Sequence, residues 1–133
     1  MAISTIRVSL PYDLEKVWHK VVSLNNFQWR SDLSDIEVLE EGIRFIEHTK
    51  DGYATTFKIT SMQPMSRYEF DMENANMHGH WVGLFSREQG GCLVDFTENV
   101  TAKKIIMKPF VKGYLKKQQA TYIADLKRAL EQD

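Results

Sequence analysis

The most constraining feature of this chain is a change of hydrophobic period near residue 102. Upstream, apolar residues fall on every second position in short runs: Phe57 and Ile59, then Tyr68, Phe70 and Met72, then Val94, Phe96 and Val100. That alternation is the mark of strands with one buried face. Downstream, from Lys103 to Glu131, Met107, Val111, Tyr114, Gln118, Tyr122 and Leu126 recur at helical spacing. A one-faced antiparallel sheet followed by one long amphipathic helix is the expected α+β arrangement.

Turn signals divide the strand region. Gly42, Lys50-Asp51-Gly52, Gln63-Pro64, Glu73-Asn74-Ala75-Asn76 and Gln89-Gly90-Gly91 leave room for six strands between Ile36 and Val100. A further strand precedes them, because Ile6, Val8 and Leu10 alternate with Arg7 and Ser9 before Pro11 stops the run. Asp13 can cap a short helix whose apolar side is Leu14, Val17, Trp18 and Val21. Beyond Asn25 and Asn26, the aromatics of Phe27–Leu33 predict a second packed half-turn or small helix. The final helix would run about 40 Å, with Pro109 tolerated near its start or marking a kink.

At 133 residues, with 43% hydrophobic and 26% charged residues, the chain is expected to form a single domain over 1–133 with its own core. A net charge of -1 supplies no basic field, so nucleic acid is not an expected partner. Cys92 is the only cysteine, which rules out an intrachain disulfide. The N-terminus lacks the pattern of a signal peptide, and no run of eighteen apolar residues occurs; a cytoplasmic location is the expectation. There is no phosphate loop, nucleophile elbow, His-Glu-x-x-His or dinucleotide fingerprint, and no cofactor is expected.

The element order, with Ile6-Arg-Val-Ser-Leu-Pro-Tyr-Asp-Leu-Glu-Lys-Val-Trp18, resembles the START-like or SRPBCC superfamily. Phe27-Gln-Trp29 is similar to its aromatic segment after the first helix, and Pro64-Met-Ser-Arg-Tyr-Glu-Phe70 to its entry into the middle strand. Gly79-His-Trp81 and Gly90-Gly-Cys-Leu-Val-Asp-Phe-Thr-Glu98 are similar to its last hairpin. The likeness covers the whole chain and, within the superfamily, looks closest to the polyketide cyclase/dehydrase-like proteins. It implies a helix-grip fold: a seven-stranded curved antiparallel sheet around a long C-terminal helix, two short helices after the first strand, and a cavity for a lipid, sterol, polyketide or other apolar molecule. It implies no particular reaction, since one fold carries many functions.

If sheet and helix enclose such a cavity, its candidate lining is Phe57, Ile59, Tyr68, Phe70, Met72, Phe96, Glu98, Met107, Val111, Tyr114, Gln118 and Tyr122. Stripes of this kind also pack as solid core. Glu98 is the pointed case, because it shares parity with Val94, Phe96 and Val100; a bulge or the strand's end would instead leave it in solvent. Gln118 and Thr121 similarly interrupt the helix's apolar face and can orient a ligand. His78 and His80 would leave a regular strand on the same face, yet no third metal ligand is evident, so solvent-facing hairpin histidines are the expectation and no metal site is assigned. Cys92 reads as a structural thiol.

Charge divides along the chain: residues 1–102 carry nine Lys/Arg and fifteen Asp/Glu, net -6, and residues 103–133 eight and three, net +5. Lys108, Lys112 and Lys116 can meet an anionic membrane surface or, as the favoured reading, form a solvated face answering the acidic sheet. Three functions remain open. The leading one is binding or transport of an apolar small molecule. The others are a polyketide cyclase- or dehydratase-like enzyme using acid-base residues in the cavity, and a protein-interaction module.

Overall fold

Each turn signal between Ile36 and Val100 closes a hairpin. The computed structural model describes residues 1–132 and contains β1 (Ala2–Leu10), α1 (Leu14–Val22), β2 (Leu33–Glu40), β3 (Arg44–Thr49), β4 (Ala54–Gln63), β5 (Arg67–Glu73), β6 (Met77–Glu88), β7 (Gly91–Ala102), a 3-10 segment (Ile105–Phe110) and α2 (Val111–Gln132). Gly52 and Gly90 take φ of 89° and 83° in the β3–β4 and β6–β7 turns, a region L side chains avoid. The β4–β5 turn puts Met65, at φ 66°, where glycine is usual.

The strands form one seven-stranded antiparallel sheet in the order β1-β7-β6-β5-β4-β3-β2. The first strand therefore pairs with the last, from Ala2 opposite Val100 to Leu10 opposite Cys92. β1 and β2 lie at opposite edges, so α1 and the turns after it carry the chain across one end of the concave face. There Trp18 packs edge-on against Tyr68 and Phe85, with ring centroids 6.3 and 4.9 Å apart.

α2 is the element that the sheet grips. It buries Val111, Leu115, Ile123, Leu126, Ala129 and Leu130, and with them Gln119. The glutamine is fully used. Ser4 Oγ donates to its Oε1 (2.8 Å), and its Nε2 donates to the Ser4 carbonyl (2.9 Å) and the Phe96 carbonyl (3.4 Å). Gln119→Ala leaves the Ser4 hydroxyl buried without this acceptor, so a loss of about 1–2 kcal/mol is expected in urea unfolding. An unchanged unfolding midpoint would show that the helix is held by its apolar contacts alone.

Two helical expectations need correction. The stretch predicted helical over Phe27–Leu33 forms turns up to Asp32, and Leu33 opens β2: Arg30 N–H donates to the Phe27 carbonyl (2.9 Å), and Ser31 N–H is taken by Asp125 Oδ2 (2.8 Å). The Ser31 donor thus goes to α2 instead of to a local helix. The long C-terminal helix also begins later than its period suggests. Pro109 lies inside the 3-10 segment, and the α-helix proper starts at Val111. Over its 22 residues it spans about 33 Å. Among the described residues no helix is long and apolar enough to cross a membrane.

Candidate functional site

Strand parity builds the floor of a cavity between sheet and α2. Phe45, Phe57, Phe70, Trp81 and Phe96, one from each strand β3 to β7, form a continuous row of rings. Phe45 stacks on Phe57 at 4.9 Å and 5°, Phe57 meets Phe70 edge-on at 5.0 Å, Phe70 stacks on Trp81 at 4.8 Å and 4°, and Trp81 tilts onto Phe96 at 4.9 Å. Such pairs add to the value of burial alone. Gly83 makes room for the row, because a Cβ there would stand 2.5 Å from the Trp81 ring. The row continues onto α2 through Tyr122, 5.9 Å from Phe96, and from Tyr122 to Trp29 at 5.4 Å.

Above this floor lies a cavity of about 620 Å³, within the usual size of small-molecule sites. Tyr114, Lys117, Gln118 and Thr121 of α2 border it and are exposed, as are Lys50 and Asp51 of the β3–β4 turn. These residues mark its mouth.

The cavity is not wholly apolar. Arg30, with its side chain only 13% exposed, donates to Glu47 Oε2 (2.9 Å) and Asp32 Oδ2 (3.0 Å), and its guanidinium lies 5.0 Å from the centre of the Tyr122 ring. Burial works against this charge, but Glu47, Tyr122 and Asp32 outweigh it and hold the guanidinium's pKa above its ordinary value. Arg30 Nε is buried and has no hydrogen-bond partner among the described residues. Burial, with Glu47 and Asp32, pushes the Tyr122 phenol up despite Arg30, and burial does the same for Tyr68. Both phenols remain protonated donors at neutral pH.

β7 alternates along its whole length without a bulge, burying Cys92, Val94, Phe96, Glu98, Val100 and Ala102. Glu98 is consequently carried inward, opposite Ser4 on β1 and Trp81 on β6. Its side chain makes no hydrogen bond with the described residues. Burial raises its pKa to about 7, helped by Glu47 and opposed by Arg30. A carboxyl in this state changes charge near neutrality.

Of the residues nominated from sequence, Phe57, Tyr68, Phe70, Met72, Phe96, Glu98, Tyr114, Gln118 and Tyr122 border the cavity together. Ile59, Met107 and Val111 do not. Ile59 lies two residues nearer the β4–β5 turn and packs into the main core. Met107 belongs to the 3-10 segment, whose tighter winding breaks the α-helical face, and it is 43% exposed. Val111 packs with Val100, Ala102 and Leu115 in a separate cluster. Phe45, Trp29, Trp81, Arg30 and Glu47 border the cavity too, although none is among the residues nominated from sequence. Trp81 had a usable signal, since Trp81, Gly83 and Phe85 keep strand parity; Arg30 had none.

His80 faces away from the cavity, with Nδ1 2.7 Å from Asp71 Oδ1 and Nε2 2.8 Å from Glu69 Oε1. Burial opposes protonation, but the two carboxylates outweigh it and raise the imidazole's pKa. His78 is exposed, and no group of three His, Cys, Asp or Glu among the described residues is arranged to hold a metal.

No family model and no curated protein matches this chain. Solved structures do. A START superfamily protein from Mycobacterium smegmatis aligns with a TM-score of 0.90 at 10% identity, over 99% of each chain. Protein MLL2253 from Mesorhizobium loti aligns at 0.81 and 12% identity, over 98% of this chain and 97% of that one. DynU16, a protein of the dynemicin biosynthetic locus, aligns at 0.78 and 13% identity, over 98% of this chain and 48% of its own. The chain therefore has the START-like helix-grip fold.

Proposed function

We propose that the protein binds and carries an apolar small molecule of lipid or polyketide type, its body on the aromatic floor and its polar end at Glu98. The observation that carries this reading is the cavity itself: about 620 Å³, floored by a row of rings, with one buried carboxyl, Glu98, that no described residue hydrogen-bonds. An apolar body gains from leaving water, and a hydroxyl or carbonyl on it supplies the hydrogen bond that Glu98 lacks. The tyrosines Tyr68 and Tyr122 offer further donors.

A second reading, a cyclase- or dehydratase-like enzyme, draws on one observation. Glu98, at about 7, can both take and give a proton near neutral pH.

Native mass spectrometry of protein purified from its own host tests the first reading, with a co-purifying apolar molecule as the expected result. Displacement of an apolar fluorescent probe adds residue resolution. Tyr114→Ala is expected to weaken the probe about tenfold, since it removes a ring at the mouth. A folded parent that binds neither host molecule nor probe would sink the carrier reading. For the enzyme, Glu98→Gln abolishes turnover of a bound substrate while binding survives; for the carrier, the same variant changes affinity and its pH dependence.

A further inference from the structure

We infer that the 3-10 segment Ile105–Phe110, with the lysines around it, docks the protein on an anionic lipid surface. Every residue of the segment is exposed. Ile105, Ile106 and Phe110 are 81%, 76% and 69% exposed, and none of the segment's residues is buried. Isolated exposed apolar side chains are ordinary, but three so close together mark a contact surface. None of the three borders the cavity between the sheet and α2.

Charge selects the partner. From residue 103 to 124 there are six lysines and no aspartate or glutamate. Lys103 is held by Glu73 Oε2 at 2.8 Å, while Lys104, Lys108 and Lys112, which flank or interrupt the segment in sequence, are exposed. Exposed apolar groups interspersed with exposed lysines suit a bilayer interface: the isoleucines and phenylalanine enter the acyl boundary and the lysines meet phosphate and carboxylate headgroups. A partner protein would need an apolar groove with an acidic rim to supply both complements, whereas an anionic bilayer presents both everywhere on its surface.

The 3-10 segment runs without a break into α2, where Tyr114, Lys117 and Gln118 border the cavity mouth. Docking therefore brings the mouth to the lipid surface, a route by which an apolar ligand passes without crossing water. That consequence rests on the carrier reading; the docking itself does not.

Co-sedimentation of the full chain with vesicles tests the inference. Binding to vesicles of phosphatidylcholine mixed with phosphatidylserine is expected to exceed binding to phosphatidylcholine alone by about tenfold or more, and to fall as salt is raised. Ile105→Ser/Ile106→Ser is expected to weaken it about tenfold with unchanged thermal unfolding, because both side chains are already in water. Lys104→Glu/Lys108→Glu/Lys112→Glu is expected to remove the preference for anionic vesicles. Absence of binding to anionic vesicles at low salt would overturn the inference, as would binding that both variants retain. Sedimentation velocity provides the other exit: a dimer of the parent that Ile105→Ser/Ile106→Ser dissociates would assign the surface to a second copy of the chain instead. Probe binding in the cavity, measured on the same variants without lipid, is expected to be unchanged, which separates failure of docking from failure of the carrier reading.

Discussion

Removing the carboxylate of Glu47 is expected to cost about 3 kcal/mol of folding stability, the low end of what breaking a buried ion pair costs. In Glu47→Ala, Arg30 keeps Asp32 at 3.0 Å but loses its 2.9 Å bond to Glu47, in a site where both partners are largely buried, at 13% and 17% side-chain exposure. Its Nε is already unsatisfied, so no internal acceptor stands ready to compensate. The pair itself need not favour the folded state. Arg30→Met/Glu47→Leu removes both charges and fills the space, and it is expected to recover most of the loss. Urea unfolding at neutral pH measures both variants. A loss under about 1 kcal/mol in Glu47→Ala would place the pair among solvated surface bridges. The same substitution removes a negative charge that raises the Glu98 pKa and frees Arg30 to lower it, so Glu98 should titrate below about 7 in that variant.

Glu98→Gln is expected to stabilise the protein, and only above the acid range. In the folded chain the Glu98 pKa is raised from 4.5 to about 7. Below 4.5 the carboxyl is protonated in both states and incurs no charge penalty. As pH rises toward 7 the unfolded chain releases its proton while the folded chain holds it, so stability falls across that window and levels off beyond it. A separation of this size amounts to on the order of 3 kcal/mol at ~pH 8. Other groups acting on Glu98 are Arg30 and Glu47, with Tyr114 and Tyr122 still protonated in this range. Glutamine has no charge to bury, so the difference between variant and parent should grow from ~pH 4 to ~pH 8 and then hold. An offset that is constant with pH reports packing of the amide alone. Parallel profiles would show that Glu98 titrates as an ordinary surface carboxyl.

These two residues differ in how far sequence could reveal them. The inward direction of Glu98 was readable because β7 runs twelve residues without a bulge, so Val94, Phe96 and Val100 carry Glu98 with them. Arg30 and Glu47 lie seventeen residues apart on a turn and a strand, with no pattern to join them. Their meeting depends on how the segment after α1 crosses the concave face. The same holds for the aromatic floor. Phe57, Phe70 and Phe96 were visible as strand residues, but their alignment with Phe45 and Trp81 depends on the registers that set Phe45 opposite Phe57 and Phe70 opposite Trp81.

Sequence alone determined the alternating strands, their turns and the switch to a helix after residue 102, because these follow from local period and backbone preference. It placed Met107, Val111 and Ile59 with the cavity residues because period reports which face a side chain shares, not how far along the element it lies. Tertiary structure decided the rest. Pro109 and the 3-10 winding turned Ile105, Ile106 and Phe110 into solvent, the grip of the sheet on α2 left space above the rings, and burial turned Glu98 into a group that titrates near neutrality. Exposure, cavity volume and desolvation arise only when distant segments close around one another, so no stretch of chain carries them by itself.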